Sequence, residues 1–130
     1  MKGYFTNIDH DDYKSTLLKH GVFSFSIKEV SIIEKQIKLL SSSKTLSNKR
    51  MIWDVGIANL GKLGDSNYLL LQNRDMSDRI YIYKLIDEYY LIVNVSNANK
   101  AKESQRNYTY YKCDQMDGLL EYIKTIDGLV

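Results

Sequence analysis

Tyrosine offers this chain more chemistry than any other residue type: there are eleven, against one cysteine and two histidines. A phenol joins a flat apolar ring to a hydroxyl donor, so it suits a core rim, a protein interface or a stacking surface. Tyr81, Tyr83 and Tyr90 fall in the most strand-like part of the sequence, with Arg79 and Asn94 beside them. If Asp87-Glu88 is the centre of a turn, period-two alternation puts Arg79, Tyr81, Tyr83 and Leu85 on one face with Tyr90, Ile92 and Asn94. Ile80, Ile82 and Ile86 then share the other face with Tyr89, Leu91, Val93 and Val95. Asp-Glu is not a preferred tight-turn pair, so a one-residue slip that exchanges the faces stays open. Tyrosines beside an arginine fit a protein interface, a platform for single-stranded nucleic acid, or a layer under another element.

The remaining constellations are weaker. Asp9-His10-Asp11-Asp12 has the residue types of a cation site. Neighbours on a chain rarely converge on one ion, and acidic residues favour the start of a helix, so a solvated helix start is the better reading and no metal is implied. Cys113 lies between an aromatic strand and a helix start. A thiol there is either activated by the helix or a small buried filler, and neither His10 nor His20 is spaced to pair with it. Gly56, Gly61, Lys62 and Gly64 resemble a phosphate loop only loosely. The Gly-Lys-Ser/Thr that positions lysine and magnesium is missing, and the glycines precede a strand rather than a helix. No cofactor follows from these residues. Lys44, Lys49, Arg50 and Arg74 form a basic supplement on polar loops.

Positioning these groups requires strands and at least two helices. Ser26-Ile27-Lys28-Glu29 is a capping box, and Ile27, Val30, Ile33, Ile37 and Leu40 recur at helical spacing behind it, which predicts a helix over 26–40. Glu34 and Lys38 are spaced to pair on its surface. Asp114, with Asp117 three residues on, predicts a second helix over 114–126, buried through Met116, Leu119, Leu120, Ile123 and Ile126. Strand character runs through 51–57, where Trp53 reads as core, and through 68–72, 80–85, 89–95 and 108–113. Residues 97–107 read as a long polar loop, open to mobility or to ordering by a partner. Residues 1–21 are a polar lead-in with a short helix, to which Leu17 and Leu18 lend a little apolar face. The expectation is one α+β domain over 1–130, an antiparallel sheet of about four to six strands carrying both main helices on one face.

Composition sets the class. A length of 130 residues and a hydrophobic fraction of 44% are those of one ordinary globular domain. A formal charge of +2 is low for a protein that lives on phosphate neutralisation. A lone cysteine forms no internal disulfide. The first residues lack the apolar stretch of a secretory leader, and no run approaches the roughly 18 apolar residues of a transmembrane span. The expected setting is therefore intracellular and soluble: cytoplasmic, organellar, or viral in a host cell. Abundant Ile, Lys, Asn and Tyr without proline match an A/T-rich genome.

The functional expectation is a non-enzymatic binding or assembly protein, a small subunit of a larger complex, acting through Arg79, Tyr81, Tyr83, Tyr90 and Asn94. Its expected partner is protein, either another copy or a different chain. One alternative is nucleic-acid binding through the same face with Lys44, Lys49, Arg50 and Arg74. The other is a small thiol enzyme or hydrolase using Cys113.

Overall fold

The computed structural model describes residues 5–19, 23, 25–42, 53–63, 66–73, 78–86 and 89–126. Among them are three α-helices, α1 (His10–Lys19), α2 (Ile27–Ser42) and α3 (Gln115–Lys124). Six strands, β1 (Phe5–Ile8), β2 (Trp53–Leu63), β3 (Ser66–Asn73), β4 (Asp78–Lys84), β5 (Tyr89–Ser96) and β6 (Asn107–Asp114), form one antiparallel sheet. The order β1-β6-β5-β4-β3-β2 is a five-strand meander with the first strand added at its far edge. This is the α+β architecture that the alternation and capping signals predict. None of the described helices is long and apolar enough to cross a membrane.

Aliphatic and aromatic residues occupy both faces of the central strands, and both faces are covered. On one lie Leu69, Leu71, Ile80, Ile82, Tyr90, Ile92 and Cys113, packed against Phe25, Ile33 and Ile37 and against Leu119, Tyr122, Ile123 and Ile126. Helices α2 and α3 thus share this face, as predicted. On the other, Tyr83, Leu85, Leu91, Val93 and Val95 pack with Tyr13 of α1 and with Ala98. The sheet is therefore sandwiched between helices, its second face only in part because α1 is short.

The β4–β5 hairpin corrects the expected faces. Tyr81 pairs with Val93, Ile82 with Ile92 and Lys84 with Tyr90, which centres the loop on residue 87 rather than between 87 and 88. The Leu85 N–H donates to the Tyr89 carbonyl at 2.7 Å and closes that loop. A one-residue slip inverts every side chain of a strand. Tyr90 and Asn94 therefore leave Arg79, Tyr81 and Tyr83 and join the α2/α3 face. What holds Tyr90 there is physical: its ring stacks on Phe25 at 5.9 Å, and its hydroxyl donates to Glu29 Oε2 at 3.2 Å.

The capping box of α2 forms as its spacing predicts. The Ser26 N–H donates to Glu29 Oε1 at 2.8 Å, and the Glu29 N–H to Ser26 Oγ at 3.1 Å. Lys84 Nζ also reaches Glu29 Oε1, at 2.6 Å. Burial opposes ionisation of this carboxyl, but the bonds from Lys84 and Ser26 outweigh it and hold Glu29 below its ordinary value. Ile27 departs from the expected stripe and is 90% exposed. At 3.6 residues per turn it lies about 100° round the helix from the centre of Ile33 and Ile37. The side chains of Lys38 and Leu40 lie outside the described residues, as does that of Trp53.

Three local expectations change. The glycines at 56 and 61 sit within β2, whose register shifts between Gly56 and Leu60. Asp114 occupies the N-cap of α3 but makes no side-chain cap bond. Gln115 beside it takes a left-handed backbone (φ 58°), which turns the chain sharply out of β6 and carries the first helical turn away from the Asp114 carboxylate. Residues 97–106 fold on themselves: the Lys100 N–H donates to the Asn97 carbonyl, and Arg106 Nε to the Lys100 carbonyl, both at 3.0 Å. A single 3-10 turn, Glu103–Gln105, completes the loop.

A tyrosine-walled cleft as candidate functional site

Helix α1 begins where Asp9 accepts the Asp12 N–H on its Oδ1 at 2.7 Å. The acidic cluster is thus spent on starting a helix, and no group of three metal-ligating side chains occurs among the described residues. At i, i+3 and i+7, His10, Tyr13 and Leu17 form one stripe, and that stripe faces the sheet. Tyr13 is its anchor, 6% exposed, while Leu18 points away. The Tyr13 ring meets Tyr110 of β6 at 4.8 Å and Tyr83 of β4 at 6.0 Å.

Helix α1 reaches only partway across this face. Beside it a cleft of about 460 Å³ opens, walled by His10, Tyr13 and Leu17, by Arg79, Tyr81 and Tyr83, and by Val93 and Val95. Tyr108 and Tyr110 close one side, and the 97–106 loop contributes Ala98, Glu103 and Arg106. The rings form a continuous chain, edge-on between Tyr68 and Tyr81 at 5.2 Å and between Tyr13 and Tyr83, and tilted between Tyr68 and Tyr83 at 6.0 Å and between Tyr13 and Tyr110. Edge-to-face contact is the arrangement that aromatic quadrupoles favour, so the wall holds itself in place.

The polar groups of this cleft are phenol hydroxyls, one imidazole, two guanidiniums and one carboxylate. The Tyr110 hydroxyl lies 2.7 Å from His10 Nδ1 and donates to it when that nitrogen carries no proton. Tyr110 is held above its ordinary value by burial first, then by Tyr108 and Glu103. Burial pushes Tyr83 up to about 12. Burial, and then the neighbouring Tyr83 phenol, hold Tyr13 far above the ordinary phenol value. These phenols keep their protons at neutral pH and act as hydrogen-bond donors, not as nucleophiles. Among the described residues, two buried side-chain polar atoms make no hydrogen bond: the Tyr13 hydroxyl, which still feels the Tyr83 phenol electrostatically, and Arg79 Nε. Both belong to residues of the cleft wall.

Of the residues singled out from sequence, Arg79, Tyr81 and Tyr83 come together here. Tyr90 and Asn94 lie across the sheet, where Asn94 Nδ2 donates to the Tyr122 hydroxyl at 3.1 Å. Lys44, Lys49, Arg50 and Arg74 lie outside the described residues. Cys113 is buried beneath α3, and burial pushes its thiol up to about 12. Sequence reasoning missed His10, Tyr13, Tyr108, Tyr110, Glu103 and Arg106. The signal for the first two was the His10-Tyr13-Leu17 spacing; the strand alternation of Tyr108 and Tyr110 was a second. A smaller polar hollow, on the α3 side, is lined by Asn94, Tyr111, Tyr122 and Thr125, but its amide and phenol already bond each other. Comparison with protein-family models, with curated proteins and with solved structures found no match to this chain.

Proposed function

We propose that the protein is a non-enzymatic binding module whose recognition site is the cleft between α1, the tyrosine-bearing sheet face and the 97–106 loop. One observation carries this reading: the Tyr13 hydroxyl and Arg79 Nε are buried in the wall of a single cleft without protein partners. A buried donor left unmade costs about 1–3 kcal/mol, and more when charged, so such groups are rare unless something else satisfies them. The volume also falls in the range of about 300–1,000 Å³ common to ligand sites, and aromatic and aliphatic surface with convergent polar groups is part of their usual makeup. Titrating small-molecule fragments while following backbone amide resonances tests it. Shifts clustered at residues 13, 79–83, 108 and 110 are expected; binding confined to other regions would count against the cleft.

An assembly role draws support from a separate observation. Phe23 and Ile86 are 45% and 49% exposed, and Phe23 bridges Lys84 on the same edge of the hairpin. Large apolar side chains left in solvent are common markers of a protein contact. Light scattering on the purified protein tests this: a concentration-independent monomer would sink self-assembly. The nucleic-acid reading draws less support, because Tyr81 and Tyr83 each meet Tyr68 and line a recess rather than a flat platform. A thiol-enzyme role draws none from the buried Cys113.

A further inference from the structure

Arg79 is the unusual member of the cleft. A guanidinium is always charged, and burying part of one without a carboxylate is costly unless an anion is supplied. No carboxylate pairs with Arg79 among the described residues: the salt bridges there are Lys84–Glu29 and Lys124–Glu121. Arg106, whose Nε donates to the Lys100 carbonyl, adds a second guanidinium to the wall. The one carboxylate on the wall is Glu103, an exposed loop residue whose Oε2 lies 3.5 Å from the Tyr108 hydroxyl. Two cations against one carboxylate make the recess electropositive, and its remaining surface is aromatic and aliphatic.

Resting on the cleft as the binding site, we propose that its ligand is a small organic anion: a carboxylate carried on a flat or apolar body. The carboxylate accepts from Arg79 Nε and from the Tyr13 hydroxyl, while the body lies against Tyr81, Tyr83, Val93 and Val95. Both orphaned donors are then satisfied at once. A recess of about 460 Å³ holds a molecule of that kind but little of a folded partner.

Four probes separate the elements of this assignment: phenylacetate, its neutral analogue phenylacetamide, inorganic phosphate, and an N-acetylated Ala-Ala-Phe tripeptide acid. Binding is followed through amide resonances and through the Arg79 Nε–H side-chain resonance. Phenylacetate is expected to shift Arg79 Nε–H and to bind at least about tenfold tighter than phenylacetamide, since a charged hydrogen bond is about twice as strong as a neutral one. R79Q should reduce that preference to nearly nothing while leaving phenylacetamide unchanged. Y13F, which keeps the ring, should weaken the acid several-fold and serves as the second variant if R79Q does not fold.

Equal binding of acid and amide within the cleft, insensitive to R79Q, would overturn the anion assignment and leave the cleft itself standing. Inorganic phosphate matching phenylacetate would overturn the apolar body. A tripeptide acid binding more than about tenfold tighter than phenylacetate would move the anion to a protein chain end and overturn the small-molecule assignment. If none of the four perturbs the cleft at millimolar concentration, both this inference and the cleft as binding site fail.

Discussion

Tyr13 holds two roles in tension. Its ring fixes α1 to the sheet through Tyr83 and Tyr110, while its hydroxyl is buried without a partner. Removing only the oxygen should therefore help the fold and harm binding. Y13F is expected to raise stability by about 1 kcal/mol, the lower end of the cost of an unmade buried donor, as read from urea unfolding. A loss of stability would mean that the hydroxyl is bonded in the folded protein. Cys113 poses the opposite case, a reactive residue type in a position that disarms it. Buried and with its thiol pushed up to about 12, it should resist iodoacetamide at pH 7.5 in the native protein and react once urea unfolds the chain. Rapid labelling without denaturant would restore the thiol reading.

Among the elements, α2 shows how far local sequence reaches. The Ser26–Glu29 capping box needs only a three-residue spacing, and it forms as expected. That the same Glu29 also holds Lys84 and Tyr90 depends on which way those side chains point, hence on the hairpin register. Register was open in the sequence because both strands are apolar on both faces, so neither alternation announces which side is core. The candidate site was legible to the same extent: Arg79, Tyr81 and Tyr83 alternate within one strand and stayed together, whereas Tyr90 and Asn94 required the cross-strand pairing. E29A removes a cap and two charge-assisted bonds together and should cost about 2 kcal/mol. Because the Glu29 carboxyl is held below its unfolded value, its contribution is present above about pH 4.5 and is lost as pH falls through the lowered folded value. Stability should therefore fall more steeply with acid below about pH 4.5 in the wild type than its remaining carboxylates alone would give, and E29Q should flatten that part of the profile.

At the scale of the whole molecule, the buried phenols and the thiol hold their protons more firmly in the fold than in the open chain. Tyr83 and Cys113 both ionise near 12 when folded, against ordinary values of 10.0 and 9.0, with burial the first cause for each. Tyr13 and Tyr122 shift in the same direction, again by burial first. Groups with raised folded values stabilise fully below their unfolded values and lose that contribution as pH rises toward the folded ones. The melting temperature should hold steady to about pH 9 and fall between about 9 and 12, which a series of thermal scans would show. A profile flat to pH 11 would mean that the tyrosine chain is open to solvent. The sandwich itself was half legible. The two helices of one face announced themselves by spacing, but the cover of the other is a short polar helix whose stripe carries His10 and Tyr13 in place of aliphatics.

Strand β1 was not legible at all. Four residues of mixed polarity have no strand signature of their own, and they become a strand only because β6, about a hundred positions away, supplies the edge: Phe5 pairs with Cys113 and Ile8 with Tyr110. That pairing has a consequence in time. During synthesis the chain is made from its first residue, so residues 5–19 leave the ribosome long before the strand they dock on exists. The meander can zip from neighbour to neighbour as it emerges, whereas β1 and α1 must wait for residue 114. The cleft, which needs Tyr13 from α1 and Tyr110 from β6, is then among the last features to be assembled, and a nascent chain halted before β6 has its sheet begun but no cleft.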